Sequence, residues 1–245
     1  MLTDQFDLTP NRRELEGPSS LIRIRIITKL IHKYQLKGNV IDIGCRTGAL
    51  VKELDKYFKS VVGIDISRDA LNEARMNVPS GRFFVADITD LSSLPKMLFD
   101  VAICSDVLEH IKEDVKALQN INQILRHKGY LVMTSPFSMK NWTRHDDWAQ
   151  HVRRYDPDEL KKKLNQSGYD VKEMFTWGYP MYSAYYKMFL QNMDPQKAKG
   201  WRRHRSPLKE TTSQLLNNLF MLDDLFVWTN RGRRLFAVAM RTSGT

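Results

Sequence analysis

The chain has 245 residues, 42% of them hydrophobic and 27% charged, an ordinary globular balance that can bury one sizeable α/β core. Lys and Arg (38) outnumber Asp and Glu (28), giving +10, which suits either an anionic partner or a surface kept soluble by its charge. Two isolated cysteines, Cys45 and Cys104, argue against a disulfide framework or a cysteine zinc site. The polar N-terminus has no signal region, and no apolar run approaches the ~18 residues of a membrane span. A cytoplasmic protein is expected, with a peripheral membrane contact left open.

Residues 1–18 lack periodicity and read as a flexible arm, ahead of a single domain over 19–245. Leu21, Ile22, Ile24, Ile27, Leu30 and Ile31 recur at helical spacing, predicting a helix over 19–35. Strand-like and helix-like runs then alternate: NVIDIG, GALVKELDKYF, SVVGIDIS, RDALNEARMN, RFFVADI, FDVAICSDV, DVKALQNINQILRHKG (a helix closed by Gly129) and GYLVMTSPF. The pattern stops at Pro136, and residues 137–156 show no clear period. DPDELKKKLNQSG reads as a helix, YDVKEMFTWG as a sixth strand and RRLFAVAMRT as a seventh, with a helical cap over 180–230 between the last two. Such alternation means α/β architecture, a doubly wound, mostly parallel sheet.

In such a sheet, ligands bind beyond the carboxyl ends of the strands. The loop Gly44–Gly48 follows the first strand and leads into a helix, where glycine lets backbone approach a ligand. Asp42 stands two residues before it, and a carboxylate there suits a cationic group and repels a pyrophosphate. Asp65 ends the second strand, 21 residues after Gly44, at the spacing of an acid that binds ribose hydroxyls. Asp87 ends the third strand, placed to accept from an adenine amino group. Each acid alone could merely cap a turn; three of them present acids to one cleft.

VIDIGCRTG, VVGID, VADITD, FDVAICSDVLEHIKED and LRHKGYLVMTSPF, in this order across roughly residues 38–136, resemble the motifs of class I (Rossmann-like) S-adenosylmethionine-dependent methyltransferases. The resemblance implies a seven-stranded sheet of order 3-2-1-4-5-7-6 with the last strand antiparallel, and S-adenosyl-L-methionine as cofactor. It places Asp42, Gly44, Cys45, Arg46 and Gly48 at the methionine end, Asp65 and Ile66 at the ribose, Asp87 and Ile88 at the adenine, and Ser105 or Asp106 near the cofactor. Arg46 departs from the family, which usually has glycine there. Its side chain must point away from the cofactor or lie over the cleft mouth, where it could also grip an anion. A dehydrogenase also uses a glycine-rich turn and a downstream acid, but Asp42 would then face a pyrophosphate.

An oxygen or nitrogen acceptor with a high pKa needs a base. His110 in SDVLEH and His145 and His151 in RHDDWAQHVRRY are the catalytic candidates. HVRRYDPDEL resembles a segment that closes over the substrate in bacterial small-molecule methyltransferases, which favours His151; a structural histidine is the alternative. Asp106, Glu109 and His110 fall at i, i+3 and i+4. With His151 or His145 they resemble the metal site of small-RNA 2′-O-methyltransferases, an alternative to a metal-free site. No RNA-binding module is recognisable, so nucleic acid is not an expected partner. GYPMYSAYYKMFL could wall a pocket for an aromatic or apolar acceptor or form the cap's own core, and the charge also allows an anionic acceptor. The linker KAKGWRRHRSPLK reads as a lid, an anion patch, a membrane contact or a solvated loop. O-methylation of a small molecule is the expected function; metal-assisted RNA methylation and a non-catalytic cofactor-binding protein are the alternatives.

Overall fold

The computed structural model describes residues 18–90, 92, 97–191, 215–216 and 218–242. Helix α1 (Pro18–Lys33) precedes an alternation of β1 (Asn39–Ile43), α2 (Ala49–Leu54), β2 (Ser60–Asp65), α3 (Arg68–Asn77), β3 (Arg82–Val85) and β4 (Phe99–Ser105). There follow α4 (Asp114–Ile124), β5 (Leu125–Pro136), α5 (Arg144–Trp148), α6 (Pro157–Gln166), β6 (Tyr169–Trp177), α7 (Met181–Tyr185) and β7 (Arg234–Arg241). The sheet order is β3-β2-β1-β4-β5-β7-β6. β1 to β5 pair in parallel, and β7 runs antiparallel to both β5 and β6. The order and the reversed last strand are those implied by the sequence motifs.

Side chains alternate across a strand, so each central strand feeds two cores. Val40, Val61, Val101, Ile103, Val132, Phe236 and Val238 pack with Ile22, Ile26, Ile27 and Leu30 of α1 and with α2 and α3. Ile41, Ile43, Val62, Ile64, Ala102, Leu131 and Met133 pack with Ala117, Leu118 and Ile121 of α4 and Leu160 and Leu164 of α6. Burial on both faces explains the near-continuous apolar runs. Each fully buried Ile or Leu contributes about 1.5–3 kcal/mol.

Four elements differ from expectation. The helix predicted to close at Gly129 ends at Ile124, because Leu125 is buried beside Phe99 and starts β5 in register with it. The third strand ends at Val85, leaving Asp87 in a turn bridged to Asp90. The aperiodic stretch 137–156 contains α5, held by a capping box in which Thr143 and Asp146 exchange hydrogen bonds. The cap is only partly α-helical: α7 runs into a π turn over Tyr186–Leu190, and Met221–Thr229 forms a 3₁₀ helix. Residues 1–17 of the N-terminal arm and the KAKGWRRHRSPLK linker lie outside the described residues. Among the described residues no helix is long and apolar enough to cross a membrane.

Candidate functional site

The first loop is built by backbone. Gly44 N and Cys45 N both donate to the Ile64 carbonyl, at 2.8 and 2.9 Å, folding the chain back as it leaves β1. Gly44 has φ 70°, and a Cβ there would lie 2.4 Å from a Val107 methyl. Arg46 also sits in the left-handed region, φ 48°, and its N–H donates to Asp65 Oδ2 at 2.9 Å. The backbone hydrogen bond holds this non-glycine residue in the conformation glycine would supply. Its side chain is exposed.

Asp65 accepts from Arg46 N and from Ser67 N, joining the loops that follow β1 and β2. Asp42 is buried and accepts no hydrogen bond among the described residues. Burial pushes its pKa up to about 8, Arg23 opposes the shift, and Asp65 adds to it. An unpartnered carboxyl beside a glycine loop fits a ligand ammonium and does not fit a phosphate.

The remaining expected contacts divide. Ile66 is exposed at the end of β2, free to lie against a planar ligand. Asp87 is exposed, although its Oδ1 already accepts from Thr89 N and Oγ1 at 2.8 Å. The Cys45 side chain packs toward Gly63, and that of Ile88 lies in the second core, so both can offer a ligand only backbone. Ser105 Oγ shares a 3.0 Å hydrogen bond with Thr134 Oγ1.

Asp106 is committed elsewhere. It pairs with Arg23 at 2.5 Å and with Arg234, and accepts from Thr134 Oγ1 at 2.7 Å. Burial alone would raise its pKa, but Arg234 and Arg23 outweigh it and hold the carboxyl well below the usual range. Arg234 also donates to Ser19 Oγ at 2.9 Å, so α1 is tied over the strand ends. Sequence reasoning missed Arg23, Arg234 and Thr134. The only signal was the basic pair opening RRLFAVAMRT.

The three histidines come together. The His110 and His151 rings are 4.7 Å apart, and those of His145 and His151 6.3 Å. Val152 N donates to the Glu109 carbonyl at 2.8 Å, docking the loop after α5 against the turn after β4. His151 Nδ1 lies 2.8 Å from Asp146 Oδ1. Asp146 is fully buried and also receives Arg154 Nε and Nη2 at 2.8 and 2.7 Å and Thr143 N at 2.7 Å. Burial would raise its pKa, but the bonds from His151 and Arg154 hold it well below the usual range. Asp146 is therefore an acceptor, Nδ1 of His151 carries the proton, and Nε2 is the basic nitrogen. Desolvation and neighbouring His151 lower the His110 pKa to about 4.

Glu109, His110 and His151 each bring a ligating atom within 4.8 Å of the others. The larger set with Asp106 is not assembled: Asp106 is outside this group, held by two arginines. Residues Leu108–His110 form a 3₁₀ turn and Asp106 has φ 54°, so the α-helical face assumed for Asp106, Glu109 and His110 does not form.

A methyltransferase-domain family model matches residues 19–173, well over half the chain. The chain belongs to the S-adenosylmethionine-dependent methyltransferase family. It is 31% identical over 119 residues to nodulation protein S of Azorhizobium caulinodans, covering 46% of this chain and 56% of that protein. It is 26% identical over 167 residues to a ubiquinone biosynthesis O-methyltransferase of Aromatoleum aromaticum, covering 60% and 70%. The first of these alignments spans only about half of the relative's length. Among solved structures, N-methyltransferase NodS from Bradyrhizobium japonicum, in complex with S-adenosyl-L-homocysteine, superposes with TM-score 0.62 at 16% identity over 96% of this chain and 95% of that one. The [4+2]-cyclase SpnF gives TM-score 0.62 at 17% identity, covering 90% and 82%. These structural likenesses show the fold alone, and the cyclase illustrates that this methyltransferase fold does not fix a reaction. The family's cofactor is S-adenosylmethionine, and the unpartnered Asp42, the left-handed loop and Asp65 suit its ammonium and ribose.

Proposed function

We propose that the protein is an S-adenosylmethionine-dependent O-methyltransferase acting on a small-molecule acceptor, with His151 as general base. The cytoplasm is its proposed location. One observation carries the assignment: the Asp146–His151 pair, with the His151 ring 4.7 Å from that of His110 in the turn after β4. The cofactor, when bound, supplies an electrophilic methyl group. The protein's own residues do the rest. Buried Asp146 fixes the tautomer of the neutral His151 ring, whose Nε2 takes the acceptor's hydroxyl proton, and then stabilises the imidazolium that results. Arg154 and Thr143 hold Asp146 in turn. Relatives of both N- and O-methylating name occur. An oriented base favours oxygen, because a hydroxyl must shed its proton as the new bond forms, whereas a neutral amine attacks without prior deprotonation.

The acceptor's anchoring group is proposed to be acidic. Arg233 lies 3.7 Å from the Tyr186 ring centroid and has no acid partner among the described residues. Tyr186 Oη is 3.0 Å from Thr143 Oγ1, on the residue that caps the His151-bearing loop. A desolvated guanidinium there suits a carboxylate or phosphate, beside the aromatic side chains of α7.

A second reading rests on a specific observation. Both oxygens of Glu109 are buried without a hydrogen bond, next to His110 and His151. Burial pushes its pKa well up, and a divalent cation there would discharge that cost and acidify a bound hydroxyl. Methyl transfer from labelled cofactor to hydroxy acids and to matched amines, before and after chelator dialysis, tests both. Transfer only to amines sinks the O-methyl reading. Chelator-insensitive turnover removes the metal. Cofactor binding without turnover on any acceptor would leave a non-catalytic binding protein.

A further inference from the structure

The 3₁₀ helix Met221–Thr229 carries four of its six apolar residues outward. With three residues per turn, positions 222, 225 and 228 stack on one face. They are Leu222, Leu225 and Trp228, exposed by 46, 68 and 77%, and Leu219 continues the row in the preceding turn at 44%. The polar residues turn inward. Asp223 is fully buried and accepts from Met181 N at 2.7 Å and Tyr182 N at 2.9 Å, capping α7. Asp224 pairs with Arg25 and Lys29 of α1 and accepts from Trp177 Nε1. The Trp228 indole N–H donates to the Leu225 carbonyl at 3.0 Å, so the exposed ring needs no water for its donor.

The other arm of the cap exposes apolar side chains as well. Met188 and Phe189 are exposed. The Phe189 ring is 5.4 Å from Tyr185, which lies 5.3 Å from Phe220 at the head of the 3₁₀ helix. An exposed apolar row such as Leu219, Leu222, Leu225 and Trp228 marks an interaction site. Exposed Lys187 and Arg231 flank it, both acids of the helix are spoken for, and the net charge is +10. In sequence, the chain joining the two arms carries six Lys and Arg between Asp194 and Glu210.

We propose that this face docks the protein on an anionic lipid bilayer, Leu222, Leu225 and Trp228 entering the interfacial layer while the flanking cations meet lipid headgroups. A second copy of the chain would set the same cations against one another, so self-association is disfavoured by charge. With no membrane-crossing helix among the described residues, the contact made by this segment is peripheral.

Flotation of the full chain with vesicles tests the proposal without requiring methyl transfer. Binding to phosphatidylcholine vesicles containing phosphatidylglycerol is expected, with at least tenfold weaker binding to pure phosphatidylcholine and a marked loss in high salt. The double variant Leu225→Glu/Trp228→Glu should lose at least tenfold of the anionic-vesicle binding. Leu222→Gln/Leu225→Gln, which keeps the Trp228 hydrogen bond, should lose binding with unchanged circular dichroism and melting temperature. Equal binding by wild type and a folded variant overturns the proposal. So does no binding to anionic vesicles, or a wild-type dimer that the variants dissociate, which would assign the face to a second copy.

Discussion

Nδ1 of His151 donates to the fully buried carboxylate of Asp146 at 2.8 Å, while Arg154 closes on the same carboxylate from the other side. The arrangement separates two tasks that a lone histidine cannot combine: one nitrogen is fixed and charge-compensated, the other stays available. His151→Ala should lower methyl-transfer turnover by about 100-fold or more, with the dissociation constant for S-adenosylhomocysteine unchanged. A loss confined to cofactor binding would contradict the assigned role. Asp146→Asn should also unfold the protein more readily, by about 3 kcal/mol, since it strands the buried Arg154 charge; denaturant titration measures this.

Asp42 predicts how cofactor affinity depends on pH. Its folded pKa of about 8 lies above its ordinary value of 3.8, so in the ligand-free protein this group binds extra protons between those values. Its contribution to stability is complete below 3.8 and is lost as pH rises through about 8. A ligand ammonium favours the ionised form. Affinity should therefore rise with pH, by at most about tenfold per unit, and level off above about 8. Calorimetry with S-adenosylhomocysteine across that range, with proton release seen in buffers of different ionisation enthalpy, checks it. Asp42→Asn should flatten the profile.

Arg46 bears on the loop through its backbone. Arg46→Gly should preserve cofactor binding and leave stability unchanged or raise it by up to about 1 kcal/mol, because glycine tolerates φ 48°. Arg46→Pro removes the N–H that donates to Asp65 and imposes the wrong φ. Its cofactor affinity should collapse, as read by the same titration.

The Arg23–Asp106–Arg234 cluster predicts a stability loss at the carboxyl end of β4. Asp106→Asn leaves two arginines without a counter-charge and should cost about 3 kcal/mol. Asparagine tolerates the left-handed backbone of this position, which isolates the electrostatic effect. Chemical denaturation gives the value.

Arg233→Gln should raise KM for an acidic acceptor about tenfold or more while leaving kcat on a neutral analogue within about twofold, the signature of lost ground-state binding. Equal KM values for the two acceptors would remove the anchoring role.

Much was legible in local sequence. Strand positions followed from β-branched runs, the glycine loop from its place after β1, and the sheet order from motifs that resemble a known family. The stretch 137–156 was not legible, because five-residue α5 is too short to show a period and is held by the Thr143–Asp146 capping box. Nor was the end of α4, where burial of Leu125 beside Phe99 overrode a helical pattern ending in glycine.

The sequence by itself determined which residues form the α/β frame and which loops and acids stand at the carboxyl ends of the first strands, since apolar periodicity and glycine conformation act over a few residues. Only the tertiary structure decided what those residues do to one another. Arg23 and Arg234 reach Asp106 across 83 and 128 positions of chain, and Asp224 meets Arg25 across 199. Packing of α1 and β7 against the strand ends sets those distances, and with them the charge of Asp106, the isolation of Asp42 and the outward row of Leu222, Leu225 and Trp228.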